Sequence, residues 1–149
     1  MQSGWRSNYS GILGSHAKWN DGTNVGLVFG QYENGNVGMG TLFRDNDSPG
    51  CWLNASAGIR AADFTNGEAA NMMFVCSPSR RAVFINGVLK AEMMSYANPS
   101  KITLTNDFHI GSACTSASSS GTDRTFVGDI YDVYAWSKQL DDVQIATVA

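Results

Sequence analysis

Apolar residues in this chain come in short runs that alternate with polar positions and are cut by clusters of Gly, Asn, Asp and Ser. That is the pattern of half-buried strands rather than of amphipathic helices. It predicts strands at Gly11–Ser15, Val25–Gly30, Val37–Phe43, Cys51–Ala55, Met72–Ser77, Arg81–Ile85, Val88–Glu92, Lys101–Leu104, Phe108–Ile110 and Thr125–Trp136. Their spacing, about 8–12 residues from one to the next, is that of an all-β sandwich.

Three places carry sharper signals. Asn86-Gly87 sits between two apolar runs, and a two-residue type I′ turn needs the positive φ that this dipeptide tolerates, so a hairpin is expected there. Phe126–Trp136 puts Phe126, Ile130, Tyr134 and Trp136 at one parity and Val127, Tyr131, Val133 and Ala135 at the other, which predicts a central strand covered on both faces. Asp141 with Gln144 three residues on forms a capping box, and Leu140 with Ile145 a hydrophobic staple, so a short helix should start at Asp141. Between these elements, Gly111–Thr125 is rich in Ser, Thr, Ala and Gly and reads as a long exposed loop.

Composition agrees and narrows the field. With 43% hydrophobic and 15% charged residues the chain can form a core, and its 149 residues suit one domain. No repeat or linker divides it. The 16 glycines and only three prolines fit many tight turns. The ten Lys and Arg are scattered, with Arg80-Arg81 the only adjacent pair, so a nucleic-acid partner is not expected. The longest apolar run, Met72–Cys76, is far too short to insert in a membrane. The first residues lack the apolar core of a signal peptide. Cys51, Cys76 and Cys114 show no paired spacing and read as buried free thiols, with one disulfide plus one free thiol as the other reading.

Arg81–Ala91, the run Phe108-His109-Ile110-Gly111-Ser112, and above all Phe126-x-Gly128-Asp129-Ile130-x-Asp132-Val133-x-x-Trp136-Ser137-Lys138-x-Leu140-Asp141-x-x-Gln144-Ile145 resemble the C-terminal half of laminin-G-like domains of the concanavalin A-like lectin/glucanase superfamily. The departures are Asp at 132 for Glu, Trp at 136 for Tyr and Gln at 144 for Glu. The resemblance implies a two-sheet antiparallel jelly-roll sandwich over residues 1–149 with one short C-terminal helix. The N-terminal half fits loosely, so the first strands are expected to be missing or to come from another chain or an upstream segment. Glucanases of that superfamily use a Glu-x-Asp-x-Glu strand, whereas Glu33, Glu68 and Glu92 stand in no such pattern, so no enzyme activity is expected.

What remains is binding. Sugar rings pack their apolar face on aromatics while Asn and Asp bond the hydroxyls, and Trp19, Asn20, Asp21, Trp52, Tyr32 and Tyr96 are the candidates for this. Asp45, Asn46 and Asp47 concentrate hard oxygen donors, and calcium is the cofactor the resemblance implies there. His16 and His109 are too far apart in sequence to form a local metal motif. The expectation is a non-catalytic, lectin-like module that binds a glycan or another surface ligand, placed outside the cell, on a cell surface or on a virion. The alternative is a structural or adhesion module of a larger assembly, such as a phage decoration, fibre or capsid-associated protein, in contact with other protein chains.

Overall fold

The computed structural model describes residues 11–14, 26–33, 36–42, 51–53, 68–77, 80–94, 108–112 and 125–148. The strands are β1 (Leu13–Gly14), β2 (Gly26–Glu33), β3 (Asn36–Leu42), β4 (Cys51–Leu53), β5 (Met72–Cys76), β6 (Arg80–Ile85), β7 (Val88–Met94) and β8 (His109–Ile110), followed by one helix, α1 (Asp142–Val148). They form two antiparallel sheets, a five-stranded one in the order β4-β3-β2-β1-β8 and a three-stranded one in the order β5-β6-β7. This is a mostly β, two-sheet architecture with a short helix. Lys101–Leu104 and residues 113–124 of the expected loop lie outside the described residues.

The Asn86-Gly87 hairpin forms as its sequence predicts, with φ of 49° and 74° at the two turn residues. Asn86 does more than turn the chain. Its backbone N–H donates to the Asn71 carbonyl at 2.9 Å, and its side-chain Oδ1 accepts from the Asn71 N–H at 2.8 Å. One residue thereby closes the β6–β7 turn and pins the start of β5 beside it.

Strand β6 is buried from Arg81 to Ile85, on both of its faces. Ala82 and Phe84 pack with Met73 and Val75 of β5 against Ile145 of α1, with Leu140 at the margin. Alternation turns Val83 and Ile85 the other way, to the side of Phe74, whose ring lies 5.1 Å from that of Phe29 on β2. The two sheets therefore meet through Phe29 and Phe74, and the helix closes the outer face of the three-stranded sheet. Arg81 is buried with this strand and carries polar or ring contacts within the fold.

The capping box is present atom for atom: the Gln144 N–H donates to Asp141 Oδ1 at 2.8 Å, and the Asp141 N–H donates to Gln144 Oε1 at 3.0 Å. A second tie comes from Arg80, which donates from Nη1 to Asp142 Oδ1 at 2.7 Å and from Nε to Glu92 Oε1 at 2.6 Å, with its guanidinium 5.7 Å from the Phe84 ring centre. It joins β6, β7 and α1. Hydrogen bonding to Arg80 holds the Asp142 carboxyl below its ordinary value, and hydrogen bonding to Asp142 is the main cause that raises Arg80.

One expectation fails. Residues 127–141 carry no strand, although Phe126–Trp136 reads as a central one. The segment starts as a strand does, with a bridge from Thr125 to Ser112 and the Phe126 N–H donating to the Gly111 carbonyl at 2.8 Å. Beyond Phe126 no strand pairing continues among the described residues, and a strand exists only where another lies beside it. The role of two-faced central strand belongs to β6.

Candidate functional site

A kink in β2 decides which residues share the faces of the five-stranded sheet. Phe29 pairs with Met39 and Gln31 with Gly38, so Gly30 is an extra residue, a bulge, at φ 66°. A Cβ at position 30 would sit 2.7 Å from Ile12 Cδ1, so glycine is required both for the backbone angle and for the approach of Ile12.

Because Phe29 meets the three-stranded sheet, its row across the ladder, Leu53, Met39, Phe29, Leu13 and Ile110, belongs to the inner face. The next row, Trp52, Gly40, Val28, Gly14 and His109, belongs to the outer face. Position 52 and His109 stand on opposite edge strands, four strand spacings or about 19 Å apart. Two of the three positions between them are glycine. This row is the candidate ligand-binding face.

The bulge separates two of the expected site residues. Simple alternation along β2 would group Tyr32 with Val28 and so with the Trp52 row. The bulge shifts the parity, and Tyr32 pairs with Val37, two residues from Met39, in the inner set. Positions 52 and 32 thus belong to one sheet but to different register rows. Trp19, Asn20, Asp21 and Tyr96, and the acidic run Asp45, Asn46 and Asp47, lie outside the described residues. Among the described residues no three His, Cys, Asp or Glu side chains group as a metal site. Cys51 and Cys76 fall on strands of different sheets, and Cys114 lies outside the described residues.

A second surface departs from the sequence expectation of a covered strand. Tyr131, Tyr134 and Trp136 are 78%, 72% and 49% exposed, with Val133 also exposed, and the Tyr134 and Trp136 rings lie 6.1 Å apart at 31°. Asp129 and Asp132 are exposed on the same segment. The alternation had pointed to a buried strand; the missing information was whether a neighbouring strand existed to bury it.

No family model matches the sequence, and no curated protein does. Solved structures do match by fold. The CBM40 carbohydrate-binding module of Ruminococcus gnavus IT-sialidase aligns with a TM-score of 0.68 at 18% identity, over 96% of this chain and 76% of that one. The same module bound to alpha2,3 sialyllactose gives 0.67 at 18% identity over the same shares. Bound to alpha2,6 sialyllactose it gives 0.62 at 20% identity, over 97% and 78%. The likeness is one of fold: a β-sandwich related in architecture to those modules.

Proposed function

We propose that this protein is a non-catalytic carbohydrate-binding module that takes an oligosaccharide, of the sialylated class, on the outer face of its five-stranded sheet. The observation that carries this reading is the sandwich shared with the sialyllactose-bound modules across nearly the whole chain. The outer row supports it: Trp52 at one edge supplies an aromatic for a sugar face, His109 at the other a hydrogen-bonding ring, and Gly40 and Gly14 leave backbone between them. A rigid, preformed face of this kind binds without the ordering cost that a mobile loop would add.

In the same reading the strands follow a jelly-roll connection of the concanavalin or laminin-G kind. Trp19, Asn20, Asp21 and Tyr96 line loops beside the ligand, and Asp45, Asn46 and Asp47 hold a calcium ion next to it. The protein works outside the cell or on a surface. Among the described residues no helix is long and apolar enough to cross a membrane.

Titration calorimetry with α2,3- and α2,6-sialyllactose, and with lactose, with calcium and then with chelator, tests this directly. Saturable heat with the sialylated sugars, lost in Trp52→Ala, is the expected result. A flat titration at millimolar sugar in calcium overturns the reading.

A second reading, an assembly or adhesion module, is favoured by a different observation. The exposed aromatic segment from Tyr131 to Trp136 is a surface that a chain acting alone would gain by covering.

A further inference from the structure

Asn86 and Gly87 form the two-residue tip of the β6–β7 hairpin, and Asn86 is exposed to water. Their order is also a chemical pairing. The Gly87 amide nitrogen, with no Cβ beside it to crowd the approach, is the backbone nucleophile best able to reach the Asn86 side-chain amide carbon. In that reaction the nitrogen loses its proton, bonds Asn86 Cγ and expels the side-chain nitrogen as ammonia, which leaves a five-membered succinimide. Water then adds to one of the two ring carbonyls. Breaking the bond between Gly87 N and Cγ gives aspartate. Breaking the bond between Gly87 N and the backbone carbonyl carbon gives isoaspartate, with the main chain rerouted through Cβ and Cγ. Water is the only co-reactant.

The closed hairpin blocks the first step twice. Asn86 sits at φ 49° and Gly87 at φ 74°. In a type I′ turn ψ at the first of these residues is positive too, about 30–50°. An L residue in that conformation holds its Cβ nearly opposite the next nitrogen across the Cα–C bond, whereas ring closure needs the two close to eclipsed. The side chain is also held elsewhere: Oδ1 accepts from the Asn71 N–H at 2.8 Å, and the Asn86 N–H donates to the Asn71 carbonyl at 2.9 Å. Ring closure therefore requires the tip to open. Little burial resists this on the β7 side, where Val88 and Leu89 are both exposed.

We propose that Asn86 is a deamidation site gated by its own hairpin, silent while the turn is closed and modified when it opens, with the two products having opposite fates. Aspartate keeps an acceptor at Oδ1, is at home in the turn conformation and brings a charge to the Asn71 N–H, so the hairpin closes over it again. Isoaspartate adds a main-chain carbon to a two-residue loop whose length sets the pairing of Ile85 with Val88 and, on the other side, with Met72. It leaves the tip open and the start of β5 unpinned. The modification thus records each opening and makes some of them permanent, independently of whether the protein binds sugar.

Site-resolved mass spectrometry of the full chain, incubated at mildly alkaline pH either folded or in concentrated urea, tests the proposal. Site resolution is needed because the same dipeptide stands at Asn34-Gly35 and Asn66-Gly67. Asn86 should convert at least tenfold more slowly in the folded protein than in the unfolded chain. In urea below the unfolding transition its rate should rise in step with hydrogen exchange at the Asn86 amide. Equal rates in the folded and unfolded chains, or a rate indifferent to that exchange, overturn the gating. Asn86→Asp should melt close to wild type and keep the Asn71 amide protected, whereas the isoaspartate form, separated by chromatography, should lose that protection and melt lower. Two products of equal stability, or an Asn86→Asp protein as loose as the isoaspartate form, overturn the opposite fates. The wild-type rates decide the gating even if the variant fails to fold.

Discussion

Arg80 on β6 grips Asp142, the first residue of α1, with a two-toothed fork, Nη1 to Oδ1 at 2.7 Å and Nη2 to Oδ2 at 3.3 Å. The Arg80 side chain is only 13% exposed, so this contact is screened less than a typical surface pair, although Asp142 itself is open to solvent. Fork geometry is what makes arginine the fitting residue, since lysine presents a point charge and no second tooth.

A pH dependence follows from the lowered Asp142 carboxyl. A carboxylate whose folded-state pKa lies below its unfolded value contributes stability that is complete above the unfolded value. That contribution is lost as pH falls through the folded one. Asp142→Asn should therefore lower the melting temperature at neutral pH, and the gap to wild type should close as pH falls below the ordinary carboxylate value of about 4. Thermal melts of both proteins from neutral to acid pH read it out. A gap that persists at the acid end would show that the charge is not its cause. Arg80→Lys should lose part of the same effect.

Ile145 is the residue through which the helix is anchored, fully buried against Met73, Val75, Ala82 and Phe84. Ile145→Ala should cost about 2–5 kcal/mol, depending on how far the cavity collapses. Asp141→Ala removes one cap acceptor and should cost about 1 kcal/mol. Urea unfolding of the two variants should rank them in that order, with little change in slope.

The elements legible in the sequence were those specified by local chemistry. Asn86-Gly87 needs only its own two residues to turn, and Asp141, Gln144, Leu140 and Ile145 fix a helix start within six positions. The alternating runs gave β2 to β7 closely in place. Phe126–Trp136 was the failure, because alternation says that a segment suits a strand but not that a partner lies beside it. The site suffered from a different gap. Trp52 and Tyr32 are alike as aromatic candidates in the sequence, but the register rows they join depend on one inserted residue, Gly30, whose effect on parity appears only when β3 is laid alongside. A glycine inside an apolar strand pattern was the available hint.

Gly30 gives a prediction of its own. Gly30→Ala must adopt φ near 66° and push Ile12 aside, and the backbone strain alone is about 1–2 kcal/mol. A total loss of about 2 kcal/mol or more is expected, seen as a lower denaturant midpoint. Removing the clash with Ile12→Ala in the same chain should recover the steric part and leave the backbone part. A Gly30→Ala protein as stable as wild type would mean that the bulge is not held as described.

The bulge also separates binding from stability at the two aromatic positions. Trp52 belongs to the outer row and Tyr32 to the inner set. Trp52→Ala should weaken sialyllactose binding by at least tenfold, about 1.4 kcal/mol, while moving the melting temperature little. Tyr32→Ala should do the reverse, lowering the melting temperature by several degrees while the folded fraction keeps its affinity. Calorimetry paired with thermal melts on the same preparations separates the two. Loss of affinity in Tyr32→Ala at full folding would place the sugar on the inner side, against the register of β2 with β3.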